Sequence, residues 1–479
     1  MGGSTCLNAQ LAFRGSPQDY DSWGAAGWTS EAMEREFKRI ELRGGREPMD
    51  TCGMHVQLPN YQHELSRRFL GACGAKVHPD LERRAGFNDW SEKDGGSGFG
   101  RFELSQREGV RWTGASSYLA VAAARPNVTV LTGHTVTRVT LDSTAAAGGL
   151  AATGVTLREA TVEARGETTI RLAAGGEVVL AAGALASPQL LQLSGIGEPS
   201  MLDAVGVPVR LALPAVGEGL QDHAAVTVAY ESAIRDGLSE VKPLMPYLDV
   251  ISPVALARWA FGGSGILATT FCDHGAFLRS DAALALPDVQ LRFVPGIGPH
   301  PDGVKSYELL GKGVQHGTYG YTIQVINCRP KAVGSVQVVS SDPAIAPAIR
   351  CNYLSRQEDV RAIAGGIAVA RELARAGPLG EVSRREVYPG AHVRSEAEVE
   401  AYIRGTAHSA NGLSGGCCIG RVVDDQLRVA GVAGLRVADA SVMPTIVGSQ
   451  LALPTTAIAE RAARLIASSG GAQSGKLAQ

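Results

Sequence analysis

The stretch from Asp424 to Ala463 constrains the fold of this chain most. Leu435 and Val437 flank Arg436 with the alternation of a strand, and Asp439-Ala440-Ser441-Val442-Met443-Pro444 is small and turn-like. A Gly- and Gln-bearing loop follows, Val447 to Leu453. Pro454 then opens a helix whose apolar stripe is Ile458, Ala459, Ala462 and Leu465. The first N–H groups of a helix lack partners, so this start suits an anionic or electron-rich group. Pattern alone says no more than a C-terminal βα unit.

A chain of 479 residues is too long for one small core and sufficient for two intimately joined domains. With 45% apolar and 19% charged residues it has the composition of a globular enzyme. A net charge of −2 without a basic stripe argues against nucleic acid as a partner. No apolar run reaches membrane-spanning length, because Arg258 interrupts the best candidate, Pro253 to Phe271. The eight cysteines show no CxxC spacing, and adjacent Cys417 and Cys418 suit neither zinc nor a simple disulfide. Reduced thiols and no metal are therefore expected. Met1 runs into Gly-Gly-Ser without a signal or transit pattern, and no GxGxxG follows a strand. The run Gly95 to Gly100 is glycine-rich but wrongly spaced.

In chain order, Gly2-Gly3-Ser4-Thr5-Cys6-Leu7-Asn8 reads as a turn whose small residues let backbone amides approach a ligand. Short helices are expected at Glu31 to Ile40, at Tyr61 to Cys73, and from Thr113 to near Arg125-Pro126. A strand is expected at Asn127 to Thr132, with Val136 to Leu141 as its hairpin partner. Glu177 to Leu191 reads as a buried strand entering a helix, its Gly and Ala residues fitting close packing beneath a dinucleotide. Asp222-His223 ends the next block, either as a catalytic pair or as a satisfied hinge. From Ala224 to about Gly420 β-branched strands and long loops dominate. Within them, period two puts Val289, Leu291 and Phe293 on one strand face and Gln290 and Arg292 on the other. Arginine is shaped to hold a carboxylate through parallel N–H bonds, although a lone strand arginine is often only a surface residue.

The run Gly434 to Pro444, with Pro454 and Ala-Glu-Arg-Ala-Ala at 459–463, resembles the flavin-gripping C-terminus of the glucose–methanol–choline (GMC) oxidoreductases. Three further blocks match in order: Gly2 to Trp23 with its Arg14-Gly15 and Asp-Tyr-Asp-Ser-Trp, Gly176 to Gly197, and Val216 to His223. The resemblance implies an α/β fold (α+β overall) with a Rossmann-like FAD domain from 1–28, 105–222 and 424–479. A β-rich substrate domain would come from 29–104 and 223–423, with helical lid segments. It implies non-covalent FAD touched by Gly3, Ser4, Asn8, Ala9, Gln10, Leu11, Val136, Asp439, Ala440, Gln450, Leu451 and Ala452. The family's first βαβ unit is expected before Met1, so the sequence reads as a truncated gene model or a shortened product.

Within the family, Phe271-Cys-Asp-His-Gly-Ala-Phe277, Arg292-Phe-Val-Pro-Gly296 and Pro301-Asp-Gly-Val304 look like the algal fatty acid photodecarboxylase branch. That branch implies catalytic Cys272 and Arg292, and a substrate pocket of Cys272, Arg292, Tyr307, Gln324, His408 and Asn411. Alcohol-oxidising members carry a proton-moving His where this chain has Gly412. Gly416, Ile419 and Leu451-Ala452-Leu453 depart from the family or branch pattern. The implied activity is light-driven conversion of long-chain fatty acids to hydrocarbons and CO2 in a chloroplast. Peripheral membrane contact and oligomeric state stay open. The rivals are an FAD-dependent alcohol or choline oxidoreductase, disfavoured by Gly412, and a truncated product without FAD or activity.

Overall fold

The computed structural model describes residues 2–44, 52–90, 96–144, 149–159, 166–235, 241–245, 248–251, 253–314 and 317–474. Gly95, which starts the glycine-rich run, lies outside them. The fold is mixed α/β, and its principal sheet is seven-stranded and antiparallel. Ser383–Tyr388, Ala224–Ser232, Gly320–Asn327, Val289–Val294, His274–Leu278 and Gly98–Arg101 lie side by side, and His408–Ser409 pairs with the start of Ala224–Ser232.

Alternation divides this sheet into two faces. Val289, Leu291, Phe293, Ile323 and Val325 point into a core closed by helices Glu64–Cys73 and Gln357–Leu373. Phe69 of the first helix stacks on Phe293 with centroids 4.7 Å apart. The second crosses at Gly366, where a Cβ would collide with Val325, so glycine sets the approach. The opposite face carries Gln290, Arg292 and Gln324.

A second core draws on Ala12 to Val56, Trp112 to Val216 and Cys417 to Ala462. Leu435–Val437 pairs in parallel with Val178–Leu180, which leads into helix Gly183–Leu193, as the patterns indicate. Helix Ser30–Ile40 packs into this core through Met33, Phe37 and Ile40. The C-terminal helix Ala452–Ser474 lies on it, with Arg461 4.9 Å above the Trp28 ring.

One expectation is corrected. Asn127 to Thr132 is not a strand, and His134–Ser143 pairs instead with Leu150–Glu159. Val130 and Leu131 are exposed and meet no partner strand, so β-branched propensity has nothing to act through. Among the described residues no helix is long and apolar enough to cross a membrane.

The two cores are pinned together by Arg329, which follows strand Gly320–Asn327. Its guanidinium holds Asp19 and donates to Ser16 Oγ at 3.0 Å and Pro287 O at 2.9 Å. Asp19 also accepts the Gly448 N–H at 3.1 Å. A Cβ on Gly448 would stand 2.7 Å from the guanidinium, so the C-terminal loop closes here through a glycine.

Candidate active site

The site lies where the polar face of the principal sheet meets the N-terminal segment and the C-terminal loop. Register places Arg292 between Gly275 and Gln324. A Cβ on Gly275 would collide with Leu291 O and the Phe102 ring, so no side chain fits beside Arg292 on that strand. On the other side, Arg292 donates from Nε to Gln324 Oε1 at 2.9 Å, and its Nη2 reaches the same oxygen. Gln324 Nε2 donates to His408 Nε2 at 3.0 Å, and His408 Nδ1 lies 3.1 Å from Thr406 O. A carbonyl only accepts, so the network assigns the imidazole proton to Nδ1 and leaves Nε2 to accept. Burial pushes the His408 pKa down, outweighing Thr406 O and Asp302, while Arg292 adds to the fall. A neutral imidazole therefore fixes the amide, and the amide fixes the guanidinium. Gly303 seats the imidazole closely, since a Cβ there would stand 2.5 Å from His408 Nε2.

Two residues further back on the same strand face, Gln290 is fully buried. It exchanges two hydrogen bonds with Gln450, 2.7 Å and 3.2 Å long, tying the sheet to the C-terminal loop. Cys272 sits in a tight loop in which Phe271 has φ +62°. Thr269 Oγ1 accepts the Phe271 N–H at 3.0 Å and donates to Asp273 Oδ2 at 2.7 Å. Burial pushes the Cys272 thiol pKa up, with the Arg292 cation opposing, so the sulfur keeps its proton near neutral pH. Around it lies an apolar box of Leu11, Phe13, Phe87, Phe102, Leu104 and Phe277. Phe13 meets Phe102 and Phe277 edge-on at 4.9 Å and 5.3 Å.

The block from His408 to Gly412 is held by Asp222. Its carboxylate accepts the Gly412 N–H at 2.9 Å and the hydroxyls of Ser409 and Tyr353. This saturation supports the hinge reading of Asp222. His223 is buried, which pushes its pKa down against the pull of Asp222. A Cβ at Gly412 would stand 2.8 Å from its Nδ1. Thus Cys272, Arg292, Gln324 and His408 come together. Asn411 is exposed with φ +64°, and Tyr307 is 73% exposed on helix Gly303–Gly311. Gln290 and Gly275 are additions, Gln290 legible in the strand period it shares with Arg292 and Gly275 dependent on tertiary neighbours. His223, read from sequence as half of a catalytic pair or of a hinge, lies against Gly412.

The residues that the resemblance assigns to a cofactor lie on several elements. Gly3 and Ser4 lie in the exposed 3-10 turn Gly3–Cys6, where Gly2 and Gly3 have φ +97° and +57°. Arg111 holds this segment by donating to Thr5 O at 3.2 Å and Asn8 O at 2.6 Å. Asn8 Oδ1 accepts the Gln10 N–H at 2.9 Å. Ala9 and Leu11 pack against the aromatic box, and Val136 is half-buried in its hairpin. Asp439 accepts N–H bonds from Gly183 and Ser441, both 2.8 Å, and the Ser187 hydroxyl. It therefore occupies the start of helix Gly183–Leu193 itself. Ala440 and Ala452 are half-buried and Leu451 is buried. Among the described residues, Gln10 Oε1 and Ser449 Oγ are buried without hydrogen-bond partners. Left-handed glycines, unspent polar atoms and the amide of Gln450 fit a planar group rich in hydrogen-bonding edges.

The chain matches the GMC oxidoreductase family over residues 1–225 and again over 330–459. It is 38% identical to the chloroplastic fatty acid photodecarboxylase of Chlamydomonas reinhardtii, over 97% of this chain and 77% of that protein. It is 32% identical to the mitochondrial choline dehydrogenase of Mus musculus, over 97% and 74%. Among solved structures, pyridoxine 4-oxidase from Mesorbium loti superposes with a TM-score of 0.78 at 25% identity, over 96% of this chain and 82% of that one. The chain belongs to the GMC oxidoreductase family.

Proposed function

We propose that this GMC oxidoreductase holds FAD without a covalent link and removes CO2 from long-chain fatty acids under light, releasing a hydrocarbon. The observation that carries the reading is Arg292, a buried guanidinium fixed by Gln324 near an apolar box, in a chain that has Gly412 where alcohol-oxidising members have His. The similarity to the Chlamydomonas reinhardtii enzyme supports it, and with it a chloroplast location. In this reading 1–28, 105–222 and 424–479, joined by helix Ser30–Ile40, form the cofactor half, and the principal sheet forms the substrate half.

Gly3, Ser4, Asn8 to Leu11, Val136, Asp439, Ala440 and Gln450 to Ala452 would hold the flavin. When bound, FAD supplies a light-absorbing one-electron acceptor. Arg292 binds the carboxylate, a charge-assisted contact about twice as strong as a neutral one. Gln324 and His408 keep the guanidinium from turning. The aromatic box excludes water, and an apolar tail gains about 0.8 kcal/mol for each CH2 buried. Cys272 holds its proton at Sγ beside the cation. Tyr307 and Asn411 enter only with a movement of their segments toward the pocket.

The test is gas chromatography of FAD-loaded protein incubated with palmitate, illuminated or dark. Pentadecane is expected only under blue light, and Arg292→Lys, which lacks the planar fork, is expected to lose most of it. A flavin-loaded parent that yields no hydrocarbon across several chain lengths would sink the reading. The rival, dark oxidation of choline or another alcohol, draws on the likeness to choline dehydrogenase and on the neutral imidazole of His223 against Gly412. Bleaching of the flavin by choline in the dark without oxygen selects that rival.

A further inference from the structure

On the face of the principal sheet away from Arg292, helix Glu64–Cys73 and strand Gly98–Arg101 border a cleft of about 700 Å³. This is the size of a site for a small organic ligand. Three cations line it, Arg67, Lys76 and Arg83, against one carboxylate, Glu82. The cleft therefore carries an excess of two positive charges in a chain of net charge −2. None of the three cations has an ion pair or a side-chain hydrogen bond among the described residues.

Their sequence neighbours behave differently. Arg68 pairs with Glu64 at 3.0 Å and donates to Pro378 O at 3.0 Å. Arg84 donates to Ser97 O at 3.0 Å and Gly86 O at 3.2 Å. The arginines beside the cleft are thus satisfied, and those facing it are not. The floor is apolar, made by Leu81 and Phe99. Gly74 borders this floor, where a Cβ would lie in ordinary contact with the Phe99 ring at 4.0 Å, so a longer side chain there would reach over it.

We propose that this cleft is a second ligand site, separate from the Arg292 pocket, which takes a single-chain amphiphile with a phosphate head. Two excess charges match a phosphate dianion better than a carboxylate, and guanidinium forks suit its oxygens. The sunken floor suits one acyl chain rather than a bilayer surface, which needs apolar groups that protrude.

The test uses the holoprotein with dodecyl phosphate kept below its micelle concentration. Binding is read by calorimetry and located by hydrogen exchange. Dodecyl phosphate is expected to protect peptides within residues 64–83. Its Kd is expected to rise about tenfold in Arg67→Glu/Arg83→Glu, the scale of losing exposed charge-assisted contacts. Gly74→Leu is expected to weaken dodecyl phosphate but not inorganic phosphate, and so separates floor from head. Both sets of substitutions sit at the surface, and an unchanged melting temperature confirms their fold. Equal affinity in parent and charge-reversed protein overturns the site, as does protection confined to the Arg292 strand. Inorganic phosphate binding as tightly as dodecyl phosphate overturns the role of the floor. Charge-dependent pelleting with phosphatidylglycerol vesicles, without binding of the free amphiphile, replaces the site with a membrane contact.

Discussion

Replacing Gln324 by Leu tests whether the Arg292 guanidinium is held or merely nearby. The substitution nearly conserves volume and removes both ends of one amide. Arg292 loses the oxygen that accepts from Nε at 2.9 Å and from Nη2, and His408 Nε2 loses its donor at 3.0 Å. Arg292 is 8% exposed and His408 6%, so little water replaces either partner. A buried donor on a charged group left unpaired costs about 1.5–3 kcal/mol, and a neutral acceptor about 1–3 kcal/mol. The gain in apolar side chain offsets about 1 kcal/mol. The expected loss is therefore about 2–5 kcal/mol in urea denaturation followed by tryptophan fluorescence at a fixed flavin load.

Gln324→Glu supplies the sign. In the parent, His408 has a folded pKa below its unfolded value, so it costs stability as pH falls below about 6.5 and nothing above. A carboxylate at 324 still accepts from Arg292 but faces His408 Nε2 with no donor, so the imidazole must take a second proton. The folded pKa then rises, and this contribution is present at acid pH and lost as pH climbs through the raised value. The parent should thus lose stability as pH falls below about 6.5 and stay level above it, whereas the variant should lose stability as pH climbs through its raised pKa. A Leu variant within about 0.5 kcal/mol of the parent, the range of an ordinary surface change, would refute the relay.

Gly412→His should fail to restore alcohol oxidation and should cost about 1–3 kcal/mol, because its Cβ stands 2.8 Å from buried His223 Nδ1; flavin bleaching and the urea midpoint report the two effects. Arg329→Met should cost about 3–5 kcal/mol by leaving Asp19 buried without its cation, read from the same midpoint. At pH 8 iodoacetamide should label exposed Cys52 and leave Cys272 unmodified until the protein is unfolded, as peptide mass spectrometry will show.

What was legible in the sequence follows from how far each signal reaches along the chain. The two faces of Val289–Val294 could be read from period two because alternation is local and the strand is flanked on both sides. The strand into helix Gly183–Leu193 and the C-terminal helix carried their own glycine, proline and apolar-stripe marks. Asn127 to Thr132 carried an equally local mark and failed, because a strand needs an edge to pair with and propensity does not supply one. Register was beyond reach by pattern. Gln324 faces Arg292 across 32 residues of chain, and only the resemblance placed them in one pocket. Helix Gly303–Gly311, capped by Asp302, was not read from the sequence, and neither was the rotation that turns Tyr307 outward while seating Gly303 on His408.

The same distinction explains why the pocket sits at this seam. A guanidinium that receives a carboxylate, as proposed for Arg292, must be dry and must not wander, and those demands conflict on a flexible loop. The sheet resolves the conflict by dividing its faces. Leu291 and Phe293 anchor the strand in a fully buried core, with Phe69 stacked against it. Between them Arg292 projects to the other face, where Gly275 lets the Phe102 ring close in on one side and the Gln324–His408 relay supplies a fixed partner on the other. Gln290, bonded twice to Gln450, then ties that rigid strand to the C-terminal loop proposed to hold the flavin.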